Sequence, residues 1–255
     1  FQRFRKEYNR EVKMEKVIHY CWFGGKEKPK KIKKYIKTWK KYLPDYKIME
    51  WNESNFDVNL TEFSKAAYEA KKWAFVSDVA RIYALKEHGG IYFDTDIEVT
   101  KNIDKILENE IWLGREDDKF LATAMIGVKE QHNKHINNIW NIYKQAKFNP
   151  DDLYSVTSPK ILTKYFKDLG LKEGNECQTL EDDIHIYAKD YFNPKSYDGN
   201  NETFTENTCI IHHFDATWTD RDEKIAIWFV RRKMGFMAKY VFSISNRIKR
   251  RKNEK

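Results

Sequence analysis

The stretch that most restricts what this chain can become is residues 73–99, Trp-Ala-Phe-Val-Ser-Asp-Val-Ala-Arg-Ile-Tyr-Ala-Leu-Lys-Glu-His-Gly-Gly-Ile-Tyr-Phe-Asp-Thr-Asp-Ile-Glu-Val. Its first half predicts a helix: Phe75, Val79, Ile82 and Leu85 recur at steps of four, three and three and so share one face. Asp78 and Arg81, three apart, share a second face. Gly89-Gly90 ends the helix, since glycine accepts the left-handed backbone a helix terminus needs. Ile91-Tyr92-Phe93 then reads as a short buried strand. Alternation beyond it puts Asp94 and Asp96 on one side, with Thr95 opposite.

Two close carboxylates at the end of a buried strand are costly unless something neutralises them, and a divalent cation is the usual answer. A hard cation such as Mn2+ or Mg2+ binds one or two carboxylates and completes its shell with water and substrate phosphates. A lone Asp-x-Asp is more often a pair of solvated acids. Here the pair stands in one block with Ser77-Asp78, Arg81 and Gly89-Gly90-Ile91-Tyr92, which is far more specific.

That block, Ser-Asp-x-x-Arg followed by Gly-Gly-x-Tyr-x-Asp-x-Asp, resembles the core of glycosyltransferases with the GT-A fold. It is most similar to the family-32 enzymes, which include bacterial capsule and surface-polysaccharide transferases and the yeast initiating α-mannosyltransferase. The catalytic domains of clostridial glucosylating toxins resemble it more distantly. The resemblance implies a donor site in which Ser77, Asp78 and Arg81 meet the nucleotide sugar, with Asp78 and Arg81 on its hydroxyls. Tyr92 would position the diphosphate, and Asp94 and Asp96 would hold the metal.

Ahead of the block, Val17 to Phe23 is an apolar and aromatic run closed by Gly24-Gly25, a first buried strand ending in a loop. Ligands gather at the carboxyl ends of such strands, although Trp22 could equally be a packing aromatic. Ile-His-Tyr-Cys-Trp-Phe-Gly-Gly is similar to the first strand of the family, which implies that the Cys21 backbone and the Trp22 ring hold the uracil. Lys30 to Tyr42 has Ile32, Tyr35, Ile36 and Trp39 at helical spacing among solvated lysines, and Tyr46 to Trp51 reads as the next strand. Glycine-rich dinucleotide and Walker-type phosphate loops are not found in the sequence.

Beyond the block, Ile97 to Thr100 is expected to be extended and Ile103 to Leu107 a short helix. Ile111 to Gly114 and Ala122 to Val128 are expected to be strands, and Asn133 to Gln145 an amphipathic helix. His132 and His135 are three apart but lack a carboxylate partner, so they are not read as a metal pair. Relatives often carry an Asn near Ala122 or Thr123 facing the donor sugar, and this chain does not. Thr157-Ser158-Pro159 resembles the family's Thr-Gly-Pro helix start, with Ser158 as a competent N-cap.

Near the end, Cys209-Ile210-Ile211-His212-His213-Phe214-Asp215-Ala216-Thr217-Trp218 is similar to the family's closing segment, where Thr217 keeps the hydroxyl of a Ser. Alternation sends one histidine to the core and the other to the site, as a third metal ligand. Alignment with the closing motif selects His213, with His212 packed away. The resemblance assigns the Trp218 indole N–H to a donor phosphate oxygen.

The charge is unevenly spread. Residues 224–255 hold 11 Lys or Arg against one acid, Glu254, so the remaining 223 residues carry a net −2 of the chain's +8. Met237, Val241, Ile244 and Ile248 step at helical spacing through this segment, and a basic amphipathic helix of this kind suits an anionic membrane surface. A solvated helix packed on the domain would read the same way. With 8 Trp, 15 Tyr and 16 Phe among abundant charges, the composition is that of a globular domain large enough for a sizeable core. No stretch approaches the roughly 20 apolar residues a membrane span needs, and no secretory signal pattern is read. Cys21, Cys177 and Cys209 are scattered, as expected of reduced thiols in the cytoplasm.

The expectation is therefore an α/β chain with the GT-A fold, a nucleotide-binding mixed sheet flanked by helices. Residues 1–13 form an N-terminal extension, native or artificial, ahead of a candidate start at Met14. Residues 14–222 form the transferase domain and 223–255 the basic tail. The expected activity is metal-dependent, retaining transfer from a nucleotide sugar, UDP-linked in the first instance, to a saccharide or lipid-linked oligosaccharide acceptor, in capsular or surface polysaccharide synthesis at the inner membrane face. The alternatives are a protein-modifying glycosyltransferase effector and a non-enzymatic nucleic-acid-binding module. The first would share the site but be larger. The second leaves Asp94 and Asp96 without a task, so no nucleic-acid partner is expected. The donor sugar, the linkage and the oligomeric state are not encoded in any local motif.

Overall fold

Val17–Cys21 (β1) is buried along its whole length, which a strand tolerates only when both faces of its sheet are covered. Ile18 and Tyr20 enter one core cluster and Cys21 the other. The computed structural model describes residues 16–150, 152–196 and 202–215. The expected extension at 1–13, Trp218 and the basic tail at 223–255 lie outside the described residues.

The further strands are Lys47–Trp51 (β2), Gly90–Phe93 (β3), Ile97–Val99 (β4), Ile111–Arg115 (β5), Leu121–Val128 (β6), Gln178–Leu180 (β7), Ile184–Tyr187 (β8) and Ile210–His212 (β9). Seven form a mixed sheet in the order β2-β1-β3-β6-β5-β8-β7, and β4 pairs with β9 as a separate ribbon. β1 runs parallel to β2 and β3, while β6 lies antiparallel between β3 and β5. The carboxyl ends of β1, β3 and β5 therefore open on one edge, where β6 begins.

Helices cover both faces. Lys30–Tyr42 (α1) is held on the β4 ribbon by the Trp39 indole, which donates to the Ile97 carbonyl at 2.8 Å, and by the Thr38 hydroxyl, which accepts from the Val99 N–H at 3.0 Å. On the other face, Trp73–His88 (α3) packs against Glu62–Glu69 (α2) and Lys134–Gln145 (α4). The expected apolar face of α3 is buried, and so are Asp78 and Arg81. A helix enclosed on nearly every side must satisfy its charges internally.

Three local expectations change. The strand stops at Phe93, and residues 94–96 form a turn, so the two aspartates meet through that turn and not through strand alternation. The helix expected at 103–107 is a single tight turn, Ile106–Glu108. Ser158–Asp168 (α5) starts at Ser158 with Thr157 as its cap residue, which frees the Ser158 hydroxyl for other partners. Ser158 is thus not the N-cap that the sequence suggests.

His19 of β1 ties the sheet to the end of α3. Its Nδ1 accepts from the Trp51 indole N–H at 3.1 Å, and its Nε2–H donates to the Gly89 carbonyl at 3.1 Å, an arrangement that requires the neutral ring. Burial, reinforced by His88, lowers its pKa from 6.5 to about 4. The unfolded chain then takes the proton first, so this stabilisation is complete above pH 6.5 and is lost as the pH falls toward 4. Between pH 7 and 5 His19 is expected to cost the fold about 2 kcal/mol. Urea unfolding midpoints across that range, steeper for the wild type than for His19→Gln, would test this; equal slopes would refute it.

Candidate active site

A cleft of about 960 Å³ opens at the carboxyl ends of β1 and β3. Every sequence-derived site residue within the described chain lines it except His213: Cys21, Trp22, Ser77, Asp78, Arg81, Tyr92, Asp94 and Asp96. α3 is buried along most of its length, and its Ser77, Asp78 and Arg81 side chains line this cleft.

Arg81 is the hub. Its Nη2 lies 2.8 Å from Asp78 Oδ1 and 3.3 Å from Asp94 Oδ1, its Nη1 donates to the Thr123 carbonyl, and its guanidinium stands 4.7 Å from the centre of the Tyr92 ring. The Tyr92 hydroxyl donates to Asp94 Oδ1 at 2.7 Å, so it is spent on orienting a carboxylate. Burial raises the Asp78 pKa to about 6 against the pull of Arg81. Burial also pushes the Cys21 thiol up to about 12, which leaves Cys21 an uncharged wall residue.

Asp94, Asp96 and His212 bring one ligand atom each to within 4.8 Å of one another. The His212 Nε2 is 3.5 Å from Asp96 Oδ1, and its Nδ1 is buried without a hydrogen-bond partner among the described residues. Burial and the neighbouring Asp96 raise the Asp94 pKa in spite of Arg81. Asp96 goes the other way: burial opposes its charge, but His212 and the Asp215 N–H outweigh burial and hold it below the usual range. For His212, burial opposes the proton and Asp96 outweighs it, so its pKa rises. Two neighbouring, partly buried carboxylates thus cannot both be comfortably charged, and a divalent cation would remove the conflict. Two carboxylate oxygens and an imidazole nitrogen form a donor set that a divalent cation can accept.

His213, the expected third ligand, points elsewhere. Its ring stacks on Tyr35 at 4.5 Å, its Nε2 meets Glu98 at 2.7 Å, and its Nδ1 meets Lys195 at 3.3 Å. The register decides this. β9 pairs with β4 so that His212 stands opposite Ile97, next to Asp96, and the following residue turns toward α1. The expectation that His213 faces the aspartates is therefore corrected to His212.

The cleft has further features that the sequence reading did not assign. Thr123 and Ser158 line the cleft, and their hydroxyl oxygens lie 2.7 Å apart, with Ser158 also hydrogen bonded to Asp78. Trp73 packs against Gly24, where a Cβ would come within 2.8 Å of the indole at a positive φ of 89°. The Trp22 indole N–H donates to the Lys26 carbonyl at 2.5 Å. Glu116 and Phe120 flank the β5–β6 hairpin at the cleft, where burial raises the Glu116 pKa. A strand-end acid is the signal that would have found Glu116, but Asp117 and Asp118 next to it carry the same signal.

Away from the cleft, His135 is buried between Tyr165 at 2.9 Å and Asp182 at 3.0 Å. Cys21, Cys177 and Cys209 are free thiols. No helix among the described residues is long and apolar enough to cross a membrane.

Residues 29–112 match the family described as the glycosyltransferase sugar-binding region containing the DXD motif. An Acanthamoeba polyphaga mimivirus protein named as an uncharacterized glycosyltransferase is 25% identical over 237 residues, which cover 87% of this chain and 90% of that one. Inositol phosphoceramide mannosyltransferase 3 of Schizosaccharomyces pombe is 24% identical over 132 residues, 49% of this chain. The matched stretch spans only 36% of that enzyme's length. Among solved structures, the PaToxG glycosyltransferase superposes with a TM-score of 0.50 at 21% identity, covering 61% of this chain and 69% of that one. The fold is the GT-A fold.

Proposed function

We propose that this chain, which matches the DXD-containing sugar-binding region over residues 29–112 and has a GT-A fold, is a glycosyltransferase that carries out a divalent-cation-dependent transfer of one sugar from a UDP-sugar to a saccharide acceptor. The observation that carries this reading is the convergence of Asp94, Asp96 and His212 in the cleft that also holds the buried Arg81–Asp78 pair.

In this reading Asp94, Asp96 and His212 hold Mn2+ or Mg2+. When bound, the cation neutralises charge on the diphosphate leaving group. Asp78 and Arg81 receive the donor sugar's hydroxyls, with Arg81 kept charged by its two carboxylates. Cys21 and Ser77 line the nucleotide end of the cleft, where the Trp22 ring stacks on the base. Tyr92 contributes by orienting Asp94.

Retention of anomeric configuration, an acceptor in capsular or surface polysaccharide synthesis, and peripheral attachment to the inner membrane face through residues 223–255 belong to the same proposal. They rest on the family resemblance and on the basic composition of the tail.

Nucleotide release from a panel of UDP-sugars, with Mn2+ and with a chelator, tests the reading. One donor is expected to be hydrolysed slowly in a Mn2+-dependent manner, and Asp96→Ala is expected to lose this activity by at least about 100-fold. Equal release with chelator, or an unaffected Asp96→Ala, would sink the metal-dependent mechanism. Release from GDP-sugars alone would replace the donor.

A further inference from the structure

Asp96 offers one oxygen to the proposed cation site and has the other already engaged: Oδ2 accepts from the Asp215 backbone N–H at 2.9 Å. The Asp96 carbonyl accepts in turn from the His213 N–H at 3.1 Å. The orientation of this carboxylate therefore depends on where the chain just beyond β9 is held. Pairing with β4 ends at His212, three residues short of Asp215, so the ribbon alone does not hold that N–H.

The Asp215 side chain supplies the missing restraint. Oδ1 pairs with Lys31 Nζ at 2.6 Å, and Oδ2 accepts from the Tyr35 hydroxyl at 3.3 Å. Lys31 and Tyr35 are four apart on α1 and so share a face. The Tyr35 ring also stacks on His213. α1 is itself fixed to β4 through Trp39 and Thr38, on the strand that follows the Asp94–Asp96 turn. Helix and carboxylate are thus joined by two routes that close a loop.

We propose that Lys31, Tyr35 and Asp215 form a clasp that positions Asp96 for a divalent cation. The three are positioning residues: none lines the cleft, and they act on the ligand through the Asp215 N–H. An exposed lysine pair contributes little to stability, and the Lys31 side chain is 59% exposed, so the clasp's effect falls on ligand geometry more than on folding. Outer-shell partners of metal ligands are worth about 10–100-fold in affinity, and a tie one bond further out belongs at the low end of that range.

The inference rests on reading Asp94, Asp96 and His212 as a cation site. Mn2+ titration of the full chain, followed by the EPR signal of the free ion, separates the two claims. Lys31→Met and Asp215→Ala are each expected to raise the Mn2+ Kd about tenfold, and Lys31→Arg to restore it to within about twofold of the wild type. Both variants staying within about twofold of the wild type while Asp96→Asn loses Mn2+ would overturn the clasp and leave the site standing. Thermal midpoints that fall with unchanged Kd would likewise overturn it, by showing a tie that serves the fold alone. Asp96→Asn binding Mn2+ like the wild type would remove the site itself.

Discussion

His212→Ala is expected to weaken Mn2+ binding by more than about 100-fold and to take Mn2+-dependent nucleotide release with it, whereas His213→Ala stays within about tenfold of the wild type on both counts. The asymmetry follows from adjacent residues facing opposite ways. His212 stands 3.5 Å from Asp96 in the cleft wall, and its ring is nearly enclosed against Phe214 at 3.9 Å. His213 is committed to Glu98 and to the face of Tyr35. A missing ligand should cost more than a missing outer-shell partner, which sets the lower bound of about 100-fold. Mn2+ titration by EPR and donor hydrolysis, run on both single variants, check the prediction. The reverse order, with His213→Ala the damaging change, would refute the placement of the third ligand.

Gly127→Ala is expected to lower stability by about 3 kcal/mol or more, with a fall in the thermal midpoint of about 10 °C, although it adds a single methyl group. Gly127 of β6 lies opposite Trp112 of β5, and a Cβ there would stand 1.9 Å from the indole Nε1 and 2.0 Å from Cε2. Trp112 cannot give way cheaply. It is fully buried and packed on Phe192 with ring centres 5.6 Å apart, and Phe192 in turn fills the space above Gly114. Two glycines on neighbouring strands thus make room for two aromatic rings, and interiors at crystal-like density transmit an overlap instead of absorbing it. A double-mutant cycle adds a sharper check: Gly127→Ala should cost far less in a Trp112→Leu background, because the two groups contend for one volume. Additive effects would show that the cost lies elsewhere.

These expectations show how legibility divides along the chain. Residues 30–42 and 134–145 were readable because a helix writes its buried face into its own sequence at a period of 3.6, so α1 and α4 needed no distant information. Gly89-Gly90 was equally local: φ values of 64° and 83° occur there, which non-glycine residues rarely adopt. The Asp94–Asp96 pair was legible as well, since close like charges restrict what can surround them, whereas the resemblance to a known family added Asp78 and Arg81 to it.

What the sequence by itself determined was therefore most of the element order as far as α5, the α/β class and the paired carboxylates of the site, because periodicity, glycine stops and like charges act over a few residues. Only the tertiary structure decided which histidine meets the aspartates, since a one-residue change of register between β9 and β4 exchanges the two faces. It alone brought Thr123 to Ser158, 35 residues on, and Lys31 to Asp215, 184 residues on. Contacts across such separations arise when a whole sheet assembles, and no local pattern of residues encodes them.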